Sequence, residues 1–244
     1  MSSVDQAVVQ NRLLKVLSPE AFALFAPHLE FVELPTKHVL VEADQPTRHV
    51  CFMESGLASM VATSTDEESV EIGHIGREGM TGEHVILRSD QSPNRTFIQV
   101  AGAGYLMPAA LLTETLTGNP SLQKIFLRYV HCCNLQMAHS ALANARYSVY
   151  ERLARWLLMV HDRMDGNDLP LTHEFLSLML GVRRSGVTDQ IHLLEGGHAI
   201  RAKRANITIL DRGKLREIAD GCYGVPEREY ERLIGLPLSD RLRR

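Results

Sequence analysis

Residues 171–211 read LTHEFLSLMLGVRRSGVTDQIHLLEGGHAIRAKRANITILD, and this stretch decides the fold. Thr172 follows Pro170 and offers a hydroxyl to the exposed amides of a helix start, while Gly181 supplies the turn that ends that helix. Leu176, Met179 and Leu180 recur at helical spacing, and Val187, Ile191 and Leu194 repeat it at i, i+4 and i+7 in a second helix. The two apolar faces are spaced to pack on each other. Outward on the second helix stand Arg184, Ser185, Thr188, Asp189 and His192, three or four residues apart and therefore on one face. Residues 199–202 and 206–210 then alternate as a short hairpin, with Arg201, Lys203 and Arg204 beside its turn. Helix, tight turn, helix and hairpin in that order predict a winged helix-turn-helix.

The chemistry of the outward face suits a DNA major groove. Arginine pairs bidentately with guanine, serine and threonine reach base edges or phosphates, and aspartate accepts from cytosine. Arg183 is better placed for a phosphate, as are Lys203 and Arg204 at the wing. Two other readings use the same residues: a helical hairpin inside an enzyme, with its arginines merely solvated, or a signalling module whose degenerate wing docks on protein. The sequence has no nucleophile elbow, HExxH, P-loop or paired acid/base spacing, which removes the usual enzymatic signatures. The basic residues at Arg183, Arg184, Arg201, Lys203 and Arg204 speak against a protein-docking wing.

At 244 residues, 45% of them hydrophobic, the chain is long enough for two domains. It has no run of eighteen apolar residues, and the polar opening MSSVDQAVVQNRLLK lacks a signal-peptide core, so a cytoplasmic protein without membrane contact is expected. The net charge is −3, but it is unevenly spread. From Ser148 onward 16 basic residues face 14 acidic ones, leaving +2, whereas the preceding part has 10 against 15, leaving −5. An acidic sensor joined to a mildly basic DNA-contacting unit fits that division. Cys51, Cys132, Cys133 and Cys222 form no CxxC pair and no metal-ligand spacing, so neither structural zinc nor an iron–sulfur cluster is expected, and the thiols read as buried and free.

Upstream, Ser18-Pro19-Glu20 starts a short helix running to about Pro27. Segments 39–42, 49–53, 57–62, 69–75 and 97–101 then follow as strands separated by Gly, Pro, Asp and Ser, the cadence of a small antiparallel roll. Gly73, Gly76, Gly79 and Gly82 fall at every third residue, reading either as simple turns or as bends that let the backbone approach a phosphate. Residues 120–144 predict a long helix with two apolar seams, one through Leu122, Ile125, Tyr129 and Cys132, the other through Phe126, Val130, Cys133 and Met137. A helix apolar on two sides must be covered twice, so one seam is expected on its own roll and the other on a partner subunit, with ordinary burial of both inside a monomer as the alternative. Residues 150–164 form a further helix with Leu153, Trp156, Leu157 and Val160 inward, broken by DGND at 165–168.

The whole arrangement resembles the Crp/Fnr family of bacterial transcription regulators. RLARWLLMVHDR, LTHEFLSLMLGVRRSGVT and ITILDR carry the resemblance most specifically. It implies an α+β protein: N-terminal helices at 1–28, a cyclic-nucleotide-binding-like antiparallel β-roll at 29–118, a long dimerisation helix at 119–146, a winged helix-turn-helix at 147–221 and a C-terminal tail at 222–244. It also implies a homodimer on a palindromic double-stranded DNA site, with RNA polymerase as a further partner. By position in the motif Arg184, Ser185 and Asp189 match base-reading places, and Arg183 and His173 match backbone-contacting ones; Thr172 opens the same motif. Asp189 departs from the arginine of cyclic-AMP-responsive members and Gly186 replaces a hydroxyl residue, so the operator should differ from theirs.

The sensor departs further. Members that hold cyclic nucleotides use a glycine-glutamate pair and, later, an arginine, a small hydroxyl residue and an alanine. Gly82-Glu83 and Arg95-Thr96 echo those elements, but Phe97 stands where alanine is expected and a polar SDQSPN loop fills the interval. No cofactor is therefore expected and cyclic AMP is not favoured: the roll either has lost ligand binding or is adapted to another small ligand or signal. The N-terminal cysteine cluster of oxygen-sensing relatives is also missing.

Overall fold

The computed structural model describes residues 4–243. Asn11 caps α1 (Arg12–Lys15), Ser18 accepts from the Ala21 amide to start α2 (Pro19–Phe25), and a 3₁₀ turn at Ala26–His28 delivers the chain to the first strand. Eight strands follow: β1 (Glu30–Leu34), β2 (Val39–Val41), β3 (His49–Met53), β4 (Leu57–Thr63), β5 (Ser69–Ile75), β6 (Met80–Thr81), β7 (Arg95–Val100) and β8 (Gly102–Pro108). They pair antiparallel into two four-stranded sheets, in the orders β1-β8-β3-β6 and β2-β7-β4-β5, which together make the expected roll. Leu34, Met53, Ala58, Met60, Ile75 and Ile98 fill its interior. Strands β1, β6 and β8 have no counterpart in the sequence reading. In β8 two glycines disguise the strand, and a side chain at Gly104 would meet Cys51 Sγ at 2.7 Å.

The roll is closed by α3 (Ala109–Gly118) and the 27-residue α4 (Pro120–Arg146). Phe25 stacks on Phe126 with ring centroids 5.7 Å apart, and Phe52 meets the same ring edge-on. This corrects the expectation for α4, because both seams are covered inside the subunit. Leu122, Phe126, Tyr129 and Val130 are buried in its own core, Cys133 packs against that core, and Met137 lies over Gly73 beside the roll interior. Four of these six are buried within the subunit, and Cys133 and Met137 are half-buried. The face of α4 left exposed carries instead Leu127, Ala138, Ala141, Leu142 and Ala145.

Part of the cover comes from the segment read as a tail. Residues Val225–Ile234 form α9, which lies along α4 with Tyr230, Ile234 and Leu238 buried in the main core. Tyr230 Oη donates to the Glu78 carbonyl at 2.6 Å, and Arg128 Nη1 donates to the Leu233 carbonyl at 3.1 Å.

Close packing explains Gly73, Gly76 and Gly79, while Gly82 is a turn at φ +78 against Val50. A Cβ at Gly79 would overlap the Tyr129 hydroxyl, which accepts from the Met80 amide (3.0 Å) and donates to its carbonyl (2.7 Å). A Cβ at Gly76 would sit 2.9 Å from Arg163. The missing side chains let α4 and the following helix press directly on backbone.

That helix, α5 (Val149–His161), begins in a capping box between Ser148 and Glu151 and is buried on nearly every side. Leu153, Leu157 and Val160 face the C-terminal core while Trp156 faces the roll. Arg163, just beyond it, is fully buried against Glu78 at 2.6 Å. Burial alone would lower the arginine pKa, but Glu78 and Asp162 more than offset it and hold the guanidinium charged.

Candidate nucleic-acid interface

Thr172 Oγ1 accepts from the Phe175 amide at 3.1 Å and starts α6 (His173–Leu180). Gly181 ends it at φ +61, a left-handed conformation that admits glycine without steric cost. Arg183 stands immediately before α7 (Arg184–Gly196), whose Val187, Ile191 and Leu194 are buried against α5 and α6. Arg184, Ser185, Asp189 and His192 are exposed on the opposite face. Thr188 is half-buried and otherwise employed. Its hydroxyl donates to the Arg184 carbonyl at 3.1 Å, so at the 3.1 Å contact with His173 the Nδ1–H of the imidazole must be the donor. Thr188 and His173 thus brace the two helices together, and Thr172 is spent as a cap.

The wing is β10 (Ile200–Lys203) paired with β11 (Asn206–Ile209), and a third strand missed in the sequence, β9 (Asp168–Leu169), lies beside β11. Asp168 Oδ1 accepts from Thr208 Oγ1 at 2.5 Å and Asn206 Nδ2 at 3.2 Å, and these bonds hold its carboxyl below the usual range. Glu195 Oε1 accepts from the Ala202 amide at 2.7 Å and ties the wing to α7. Arg201, Lys203 and Arg204 stand exposed, the turn being made by Ala205 at φ +57. Among the described residues no ion pair engages Arg183, Arg184, Arg201, Lys203 or Arg204. Lys203 lies near enough to Asp168 to help hold its carboxyl down, and the four arginines around the helix and hairpin are in no ion pair among the described residues. Next after the helix-turn-helix and wing, α8 (Arg212–Ile218) packs back on α5.

Residues 151–218 match the Crp-like helix-turn-helix domain. The chain superposes on FixK2 from Bradyrhizobium japonicum with a TM-score of 0.68 at 12% identity, covering 78% of this chain and 96% of that one. For the c-di-GMP-responsive global regulator CLP of Xanthomonas campestris the score is 0.62 at 16% identity, over 79% and 99% of the two chains. A CRP-family transcriptional regulator from Thermus thermophilus gives 0.62 at 17%, over 77% and 96%. The chain has the fold of these regulators, and its residues 151–218 match the Crp-like helix-turn-helix domain. No curated protein matches the sequence itself.

The four residues singled out in the sensor do not line one pocket together. Gly82, at φ +78, precedes a 3₁₀ turn that carries Glu83, whose carboxyl pKa is raised by burial. Thr96 is buried, but Arg95 lies on the outer face of β7, 3.2 Å from Glu42 and with its guanidinium 5.7 Å from the Phe97 ring centre. The outer cleft that Arg95 lines includes none of Gly82, Glu83 and Thr96.

Sequence reasoning missed the residues that join the helix-turn-helix unit to the roll. Glu71, in β5, accepts from Trp156 Nε1 at 2.7 Å, and Ser59 Oγ sits 2.6 Å from its other oxygen. The available signal was a carboxylate in the middle of a strand whose neighbours are apolar or glycine, together with the one tryptophan of the chain.

Proposed function

We propose that this regulator binds a palindromic duplex operator as a homodimer, reading bases with Arg184, Ser185, Asp189 and His192 and gripping phosphates with Arg183, Lys203 and Arg204. The observation that carries the reading is the outward face of α7. It presents exposed donors and acceptors above a fully buried apolar face, flanked by cations that are in no ion pair among the described residues. Such groups gain from meeting phosphates and base edges, because counterion release and bidentate pairing have no competing internal partner. Dimerisation is supported by the exposed strip of α4, where Leu127, Ala138, Ala141, Leu142 and Ala145 line one side and let a second helix approach closely. Two recognition helices then meet half-sites about one helical turn apart. A regulator seated beside a promoter acts on RNA polymerase, and this one works in the cytoplasm; among the described residues no helix is long and apolar enough to cross a membrane.

Selection of bound sequences from a random duplex pool tests the reading. The expected result is a palindromic site with half-sites about 10 base pairs apart, bound with strong salt dependence. Binding without sequence preference would overturn it. The roll is read as not holding cyclic AMP, since Arg95 is paired with Glu42 on its outer face. Saturable micromolar binding of cyclic AMP in calorimetry, lost in Arg95→Ala, would refute that.

A further inference from the structure

Strand β10 is the outer strand of its sheet, in the order β10-β11-β9, so β11 covers only one of its edges. On the other edge lies the C-terminal end of α7. Ala202 stands opposite Ile207 of β11, yet its amide turns away from that strand and donates to Glu195 Oε1 at 2.7 Å. The length is that of a hydrogen bond to a carboxylate. Without such a partner, the outward amide of an edge strand is left to water.

The place of this bond along the hairpin gives it a consequence for DNA. Ala202 immediately precedes Lys203 and Arg204, the exposed cations at the tip, and Glu195 ends the helix whose opposite end carries Arg184 and Ser185. The far side of the hairpin is held by β9, where Asp168 accepts from Thr208 and Asn206. Its root is held by the amides of Leu210 and Asp211, which both donate to the Ala199 carbonyl at 3.0 Å. Neither of those attachments reaches α7 itself. By charge alone a carboxylate beside a DNA-facing surface repels phosphate. A favourable effect of Glu195 on DNA binding must therefore come from where it holds the wing.

We propose that Glu195 is a positioning residue for DNA binding: its carboxylate fixes the wing against α7, so that Lys203 and Arg204 meet phosphates when α7 lies in the groove. The proposal rests on the operator reading above. It makes the grip of two cations depend on a side chain of the wrong sign to bind phosphate itself.

Glu195→Ala and Glu195→Gln in the full-length protein carry the test, with thermal melts to check that both fold. Hydrogen exchange comes first and needs no DNA. In Glu195→Ala the Ala202 amide should lose protection by about tenfold or more, while the Ile191 amide inside α7 keeps its own. Fluorescence anisotropy on a random-sequence duplex across a salt series then reads the phosphate contacts. Glu195→Ala should lower the slope of log K against log salt by about two, one for each wing cation. Adding Lys203→Ala to it should weaken binding by less than about twofold more, because that contact is already lost. Glu195→Gln keeps an oxygen acceptor and should bind within about twofold of wild type. Unchanged Ala202 protection, an unchanged slope, a full further loss from Lys203→Ala, or tighter binding by both Glu195 variants would each overturn the proposal. A wild-type slope that Lys203→Ala leaves unaltered would instead overturn the wing contacts of the operator reading, and this proposal with them.

Discussion

The indole of Trp156 donates to the Glu71 carboxylate at 2.7 Å, joining the first helix of the DNA-binding unit to β5, an edge strand of the roll. Glu71 is buried, and a buried carboxylate persists only where donors replace water. Ser59 supplies a second donor at 2.6 Å, and the His74 ring, whose pKa burial pulls down, lies 3.3 Å away. Trp156→Phe keeps most of the apolar surface and removes the bond. It should cost about 1–3 kcal/mol in urea unfolding, because the buried acceptor then keeps only its longer 3.3 Å contact with His74. A loss under about 0.5 kcal/mol would mean that the carboxylate does not depend on this donor.

Arg184→Ala should weaken operator binding by about 1–3 kcal/mol while leaving non-specific binding in place, as expected for an arginine bidentate to a base. Lys203→Ala should weaken binding to every sequence and reduce the slope of log K against log salt by about one. Fluorescence anisotropy across a salt series separates the two behaviours. If Arg184→Ala discriminates operator from random duplex as well as the wild type does, Arg184 is not a reading residue.

The helix-turn-helix was legible because its determinants are local: the Thr172 cap, the Gly181 turn and two apolar triplets at helical spacing. Strand β9 was not, since the two residues Asp168 and Leu169 carry no period and owe their place to β11. Periodicity showed that α4 must be covered on two sides, yet it is silent about what covers a helix. The cover proved to be the subunit's own roll, N-terminal helices and α9, whose Tyr230 and Ile234 lie at i and i+4 in the segment read as a tail. In the sensor, the motif placed Arg95 near Thr96, but strand alternation sends their side chains to opposite faces. Spacing alone did not anticipate this.

With both seams internal, Leu142→Glu on the exposed side of α4 should convert a dimer to a monomer at micromolar concentration without unfolding it. A charge there is solvated in the monomer and desolvated in the pair. Phe126→Glu should instead fail to fold, since Phe126 is fully buried between Phe25 and Phe52. Sedimentation velocity with circular dichroism distinguishes these outcomes, and a Leu142→Glu protein that remains dimeric would place the interface elsewhere.

His161 and Asp162, adjacent at the end of α5, should oppose each other as pH falls. Burial pushes His161 down to about 4, its Nε2–H donating to Asn167 Oδ1 at 2.9 Å. Burial pushes Asp162 up to about 6 despite Arg212 at 2.6 Å and the Tyr223 hydroxyl at 2.5 Å. Below an unfolded pKa of about 6.5 the unfolded chain protonates its histidine before the native state does, so His161 removes stability between about pH 6.5 and 4. Asp162 has the opposite sign. The native state takes up its proton below about 6 while the unfolded state waits until about 3.9, so stability is gained over that window. The two contributions overlap and largely cancel. His161→Gln should therefore shift the stability difference between pH 5 and pH 7 toward greater stability at pH 5, and Asp162→Asn should shift it the other way, each by about 1 kcal/mol. Urea unfolding of the wild type and both variants at the two pH values measures this, and identical pH differences in all three proteins would show that neither group titrates as its burial requires.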